Sequence, residues 1–456
     1  MLNTNAEFLR AEIMDVLRLF GAEERDFTHT FSRDGENFIN TVACEGKART
    51  FSDEWHAEGE LEFRRCAKRS AKLAFYLFLR DESGINLPWG ALTGIRPTKM
   101  AYAELAHGRS FKPLFEKFCV SAQNTDIISR VLDQQRGIYA KNKGVGSDIF
   151  VSLPFCPTKC EYCSFITAPM PAVKKYADTY VDCLVKEIES LKPYTGRINS
   201  VYVGGGTPFC MEEGQLERIY AAINGLDIVD AEFTVEAGRP DTFTKSKLEI
   251  TKAAHVSRIC VNPQSFSDAT LAAIGRKHTA AQTLAAYEQA AEYGFDINLD
   301  LIAGLAEESA EDFRNSLMTA IGLSPANITV HSLCLKSGSR LKESTSRLKI
   351  ADIDKMISCS REELYSAGYA PYYLYRQKDQ AGANENTGWC KSGKACVYNV
   401  DVMEEICSNI AVGAGAITKR VFGGGDRIER LASPKDIPTY INKCTEIIEK
   451  REELFS

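Results

Sequence analysis

The sequence lacks any apolar run long enough to enter a bilayer: its longest, Leu73 to Leu79, falls far short of the roughly 20 residues a spanning helix needs. It also lacks an excess of positive charge. Lys and Arg number 55 against 61 Asp and Glu, a net −6, so no overall field draws in nucleic acid or an anionic membrane. An anionic ligand must therefore be met by a local basic cluster. The opening segment MLNTNAEFLRAEIMDVLRLF has neither the basic start nor the continuous apolar stretch of a signal peptide. The 15 cysteines are odd in number and mostly scattered singly, in a chain too large to need disulfide staples. A reducing cytoplasm is the expected location. Internal repeats, low-complexity tracts and coiled-coil heptads are not found.

What is there is an ordinary globular composition, 44% hydrophobic and 25% charged over 456 residues, enough for about three units or one large barrel with additions. Residues 1–145 read as an α+β accessory domain. An opening helix precedes alternating stretches such as Asn37 to Cys44, then a helix from Glu60 to Arg80 and another from about Thr125 to Lys141. The basic face Arg64, Arg65, Lys68, Arg69, Lys72 of the first of these reads as solvated. A polar linker, Lys141 to Ser147, ends this part. Residues 146–335 then alternate strand and helix, with strands expected at Ile149–Leu153, Ser200–Val203, Glu232–Glu236, Arg258–Asn262, Asp296–Ile302 and Asn327–Leu333. Repeated βα units imply a parallel sheet or barrel with its active groups at the C-terminal strand ends. Residues 336–456 read as a C-terminal helical and loop cap, with helices at Ala351 to Ser366 and from Pro438 onward.

Directly after the first of these strands stands Pro154-Phe-Cys156-Pro-Thr-Lys-Cys160-Glu-Tyr-Cys163, a CxxxCxxC array. Three thiolates on a proline-broken loop can converge on a soft metal, and Cys thiolates are the usual ligands of iron–sulfur clusters. Zinc is the rival, but a structural zinc site closes its shell with four ligands. No fourth Cys or His lies nearby in sequence. Three ligands on a four-iron cube leave one iron open.

The array resembles that of the radical S-adenosylmethionine superfamily, a partial (β/α)6 TIM-like barrel in which the open iron is chelated by the methionine moiety. Gly204-Gly-Gly-Thr-Pro208, one βα unit later, looks like the methionine-binding segment of that superfamily. Further along come Glu236 in Val-Glu-Ala-Gly-Arg-Pro-Asp, Asn262-Pro-Gln-Ser-Phe266, Gly275-Arg-Lys-His278 and Asn298-Leu-Asp-Leu-Ile-Ala-Gly304. Together these resemble the oxygen-independent coproporphyrinogen III oxidases (coproporphyrinogen dehydrogenases). Gly94-Ile-Arg-Pro-Thr-Lys99, Tyr372-Tyr-Leu-Tyr-Arg-Gln-Lys378 and Gly413-Ala-Gly-Ala416 look like the HemZ-type branch of that family.

The resemblance implies that Cys156, Cys160 and Cys163 hold a 4Fe-4S cluster. It places Tyr162 near the adenosyl group, Gly205, Gly206 and Thr207 at the methionine end, and Glu236, Gln264, Arg276 and Asp300 on S-adenosylmethionine, with Ile417 lining the same site. Glu236 and Asp300 suit hydroxyl or ammonium donors and Arg276 suits a carboxylate. Phe150 stands where the better-known branch carries Tyr, and Phe165 where that branch has a further cysteine.

The implied reaction is reductive cleavage of S-adenosylmethionine to a 5′-deoxyadenosyl radical and oxidative decarboxylation of two propionates of coproporphyrinogen III, giving protoporphyrinogen IX. A flavodoxin or ferredoxin is the expected electron donor, with a monomeric chain and neither nucleic acid nor membrane as partner. Arg96, Lys99, Arg239, Lys277, Arg376 and Lys378 are the candidate cations for the four substrate carboxylates. Tyr372, Tyr373 and Tyr375 either face the macrocycle or pack under the cap. The rivals are a haem chaperone on the same barrel and a radical enzyme acting on another tetrapyrrole. Against the chaperone, the stretch where haem-binding relatives carry His-Asn-x-x-Tyr-Trp here reads Tyr398-Asn-Val-Asp-Val-Met403.

Overall fold

A computed structural model describes residues 1–94, 96–165, 167–334, 350–377, 384–423, 425 and 427–456. The chain divides into two compact units, one of 1–129 with 376–378 and one of the remaining residues.

In the first unit, strands β1 (Leu2–Thr4), β2 (Phe27–Asp34), β3 (Asn37–Cys44) and β4 (Lys47–Glu54) form one sheet in that order. Alternation in β3 puts Phe38, Asn40, Val42 and Cys44 inward, as a period of two requires. Helix α1 (Arg10–Leu19) and the long α2 (Gly59–Ser83) cover the sheet; α2 turns Ala67, Ala71, Phe75 and Phe78 to the core and stops at Gly84, whose φ of 72° few other residues adopt. On the basic face of α2, Lys68 pairs with Glu12 at 2.6 Å and Arg64 with Glu60 at 2.6 Å. The helix α3 (Ala122–Asn142) begins in this unit and ends in the second.

The second unit carries an 11-stranded sheet. Its centre is parallel: β5 (Ser147–Leu153), β8 (Ile198–Gly205), β9 (Glu232–Gly238), β10 (Arg258–Gln264), β11 (Asp296–Ala303) and β12 (Asn327–Ser332) lie side by side in that order. These are the six strands expected from the alternation, and their runs of Ile, Val and Leu are buried on both faces, as parallel strands covered by helices must be. Two short segments, β6 (Phe155–Cys156) and β7 (Ala168–Pro169), pair beyond the end of β5. The crossover helices declare themselves locally. Glu212 with Gln215, Thr279 with Gln282 and Ser309 with Asp312 form reciprocal caps, each satisfying two backbone donors that a helix start leaves unpaired.

The C-terminal region differs from the helical and loop cap expected over 336–456: it also contains strands. Beyond β12 the sheet continues through β14 (Asn386–Cys390) to β13 (Ala370–Tyr375), both pairings antiparallel. Beyond β5 it continues through β15 (Ser408–Val412), parallel, then β16 (Ile417–Phe422) and β17 (Arg427–Ala432), antiparallel. These strands are only five or six residues long, and glycine-containing turns separate β15, β16 and β17, so the alternation that marks the central strands never runs long enough to be read. With β13 and β17 as free ends, the described residues form an open, partial barrel. The last helix (Cys444–Phe455) is anchored behind β15 by a buried ion pair between Arg451 and Glu187. The same Glu187 accepts from the Tyr440 hydroxyl at 2.5 Å and the Gly413 amide at 2.9 Å.

Candidate active site at the C-terminal strand ends

The residues singled out from the sequence for the cluster and S-adenosylmethionine lie in the second unit, and most sit toward the C-terminal ends of the parallel strands; of the candidate substrate cations, Arg96, Lys99 and Arg376 fall in the first unit. After β5 the chain passes through Phe155 and Cys156 into the cysteine loop, which β6 and β7 close at its base. The glycine segment locks onto it: Gly206 donates to the Leu153 carbonyl at 2.9 Å and Thr207 to the Phe155 carbonyl at 2.7 Å. The far side is held by the Glu161 amide on the Ile274 carbonyl at 3.1 Å. Cys160 is buried, and Cys156 and Cys163 are half-buried. Burial pushes the Cys156 and Cys163 thiols above their ordinary range and neighbouring sulfurs add to it, so these two favour the protonated state in the absence of a cation. The Thr207 hydroxyl donates to Cys156 Sγ at 3.6 Å.

Soft donors in this arrangement fit an iron–sulfur cluster. Among the described residues, the one set of three possible ligand atoms within 4.8 Å of one another is Asp148, Asp401 and Cys407, away from this loop. The three loop sulfurs do not all lie within 4.8 Å of one another, so they are not drawn together at the roughly 3.8 Å that follows from a tetrahedral Zn–S length of about 2.3 Å. Sequence spacing missed a fourth sulfur. Cys210, in the turn after the glycine segment, has its thiol pushed up to about 12 by burial and then by Cys156.

The glycine segment is cut to fit. A Cβ on Gly206 would lie 2.3 Å from the Phe155 carbonyl oxygen, and one on Gly204 2.7 Å from Glu236 Oε2. The Glu236 carboxylate accepts from the Tyr202 hydroxyl at 2.7 Å and the Gly205 amide at 3.3 Å. Burial, with the adjacent Asp300 charge, pushes it up to about 7 against the hydrogen bond from Tyr202. Asp300 accepts from the Asn298 side chain at 2.7 Å. Gln264 ends β10 at φ 68°, a left-handed conformation that costs a non-glycine residue of order 1 kcal/mol, and its buried Oε1 has no partner among the described groups. Strain with an orphaned acceptor marks a position held for something other than packing.

Arg276 is buried, donating to the Asn262 carbonyl at 2.6 Å and the Tyr162 hydroxyl at 2.9 Å, while its Nε has no partner. Ile417 is 48% exposed at the start of β16, which runs back from the end where β15 stops. Phe150 is stacked on Tyr202 at 6.3 Å and on Tyr398 at 6.1 Å, and Tyr202 is the residue that donates to Glu236.

The candidate substrate cations are not equivalent. Arg239 is 3% and Arg376 6% exposed; Arg376 donates to the Leu92 carbonyl and lies over the Trp89 ring. Lys277 is exposed, and Lys378 lies outside the described residues. Tyr372 and Tyr373 pack with Cys390, Cys396 and Tyr398 in the core, so of the three tyrosines only Tyr375 is half-exposed, its hydroxyl 3.5 Å from His331 Nδ1.

The sequence profile of the Radical SAM superfamily matches residues 150–320. The chain is 33% identical over 398 residues to the oxygen-independent coproporphyrinogen-III oxidase-like protein HemZ of Bacillus subtilis, covering 84% of this chain and 79% of that protein. It is 33% identical over 201 residues to the heme chaperone HemW of the same organism, over 41% of this chain and 50% of that protein. In fold it is similar to the coproporphyrinogen III oxidase HemN of Escherichia coli, with a TM-score of 0.56 at 20% identity over 68% of this chain and 71% of that one.

Proposed function

Because the chain belongs to the radical SAM superfamily and, within it, to the family of the HemZ-like oxygen-independent coproporphyrinogen oxidase-like proteins, we propose that it is a coproporphyrinogen dehydrogenase. It would convert two propionates of coproporphyrinogen III to vinyl groups and release protoporphyrinogen IX. Proteins of this superfamily use a 4Fe-4S cluster and S-adenosylmethionine, which when bound and reduced supply a radical strong enough to remove hydrogen from an unactivated carbon.

The observation that carries the reading is the order of the site: cysteine loop, glycine segment, Glu236, Gln264, Arg276 and Asp300 come from the C-terminal halves of the consecutive parallel strands β5, β8, β9, β10 and β11 or from the stretches just after them. Cys156, Cys160 and Cys163 would hold the cluster. Bare backbone at Gly205 and Gly206 admits the methionine end, with Thr207 beside it. Glu236 and Asp300 supply acceptors for hydroxyl or ammonium hydrogens, Gln264 offers its unpaired carbonyl, and Arg276 offers a positive field with one free N–H. Tyr162, Phe150 and Ile417 contribute apolar wall. At each propionate the net change is loss of carbon dioxide, one proton and two electrons. A small reductase protein such as flavodoxin or ferredoxin would feed the site.

The test is anaerobic reconstitution with reductant and S-adenosylmethionine, following coproporphyrinogen III by mass spectrometry for two successive losses of carbon dioxide plus two hydrogens. The similarity to HemW supports a second reading, haem delivery on the same barrel. Unchanged substrate mass with stoichiometric haem uptake would favour that one.

A further inference from the structure

The cysteine loop is gripped at its middle by a side chain that the cofactor assignment leaves out. Arg239, just after β9, is 3% exposed. Its Nε and Nη2 donate to the two oxygens of Asp241 at 2.9 and 2.6 Å, and its remaining nitrogen, Nη1, donates to the Thr158 hydroxyl at 2.5 Å. Thr158 lies midway between Cys156 and Cys160. A guanidinium fixed on one edge by a two-pronged carboxylate cannot swing its third donor away without breaking that pair. Asp241 remains charged: Arg239 holds its carboxyl below the usual range despite burial. The nearby His278 ring, 3.9 Å from Asp241, adds no competing charge, because burial and Arg276 push its pKa down to about 4.

The same short segment also reaches the glycine segment. Glu236 accepts from Gly205 N, and the bare Cα of Gly238, at φ 83°, leaves room for Thr207, whose Cγ2 would lie 3.2 Å from a Cβ there. Thr207 in turn donates to Cys156 Sγ. Residues 236–241 thus tie the loop that carries the sulfurs to the segment beside it.

We propose that Arg239 is the positioning residue of the iron–sulfur site, its fork setting the Cys156–Cys160 span through Thr158 and its buried charge favouring the reduced cluster. This rests on the reading that Cys156, Cys160 and Cys163 hold the cluster. Hydrogen bonding and local charge are among the levers that set such potentials.

The experiment compares full-length unmodified chain, Arg239→Met, Arg239→Lys and Thr158→Val after anaerobic reconstitution. Iron and sulfide per chain and the cluster midpoint potential, by titration followed with electron paramagnetic resonance, are the readouts. Arg239→Met is expected to load less cluster and, in the loaded fraction, to disfavour reduction about tenfold, a fall of about 59 mV for one electron. Arg239→Lys, which keeps charge without the fork, should recover the potential but not the full loading. Thr158→Val should keep the potential and lose cluster faster. Full loading with an unchanged potential in Arg239→Met overturns the proposal. If that variant does not fold, full cluster retention in both others overturns it. An unmodified chain that takes up no cluster refutes the cysteine reading itself, which separates the two failures.

Discussion

The two ends of the same parallel sheet solve opposite problems. At the N-terminal ends, side chains close on one another. Arg258 of β10 donates to the Asn327 side chain, the Lys394 carbonyl and, at 3.2 Å, Glu232. Asp148 of β5 accepts from the Ser200 hydroxyl at 2.5 Å and the Cys407 thiol at 3.1 Å, while Asp401 beside it accepts from Asn142 at 2.7 Å. At the C-terminal ends bare backbone does much of the work: Gly204, Gly206 and Gly238 stand where a Cβ would crowd a neighbour, Gln264 is strained, and its acceptor goes unanswered. Both ends hold buried polar atoms without a partner among the described groups, Asp401 Oδ1 at one and Gln264 Oε1 at the other, but only the second joins this to strain and to bare backbone at the strand ends. Both ends carry crowded carboxyls, so acidity alone does not identify a site. Ligand capacity is identified by glycine, strain and an orphaned acceptor occurring together.

The sharpest way to break this contrast is to change one residue at each end and ask which property moves. Cys160→Ala should abolish the brown iron–sulfur absorbance after reconstitution, whereas Asp401→Asn should leave it intact; retained colour in the first refutes the ligand assignment. Glu236→Gln should weaken S-adenosylmethionine binding by about 1.5–3 kcal/mol, the worth of a hydrogen bond to a charged group, measured by calorimetry on the reconstituted protein. In the unmodified protein that affinity should rise as pH climbs through about 7, where Glu236 ionises, and the rise should be absent from the variant. Gly206→Ala, driving a methyl carbon to 2.3 Å from a carbonyl oxygen, should cost about 1–3 kcal/mol in denaturant unfolding and reduce cluster loading.

The smallest effect belongs to the floor. Burial raises the Asp148 and Asp401 carboxyls above their ordinary range, and for Asp401 the adjacent Asp148 charge adds to it. A folded-state pKa above the unfolded value means that the native protein retains protons the unfolded chain has lost. The stabilisation is complete below the unfolded value of about 3.9 and is lost as pH rises through the folded ones, at no more than about 1.4 kcal/mol per pH unit for one retained proton. Asp401→Asn should flatten the fall in melting temperature on the alkaline side; an unchanged slope would assign it elsewhere.

Much of this contrast was legible in the amino-acid order. The central strands are runs of Ile, Val and Leu, the helices carry capping residues at fixed offsets, and the cysteine array lies within eight residues, so local chemistry sufficed. What the amino-acid order did not show was of another kind. Arg239 was a candidate cation for a substrate carboxylate, and its partner Thr158 stands 81 residues away. Cys210 was not singled out, since only the crossover from β5 to β8 brings it to Cys156. The aromatic stack of Phe150 with Tyr202 and Tyr398, the latter two rings 4.5 Å apart, likewise joins residues far apart in the chain.

By itself, then, the amino-acid order determined the class of fold, the sulfur-bearing loop and the sequence in which the site residues arrive, because each depends on neighbours within a turn or a strand. Tertiary structure alone decided which charges are free. Whether an arginine meets solvent, substrate or a buried threonine depends on which strand ends the sheet brings side by side, and that pairing is set by non-local packing.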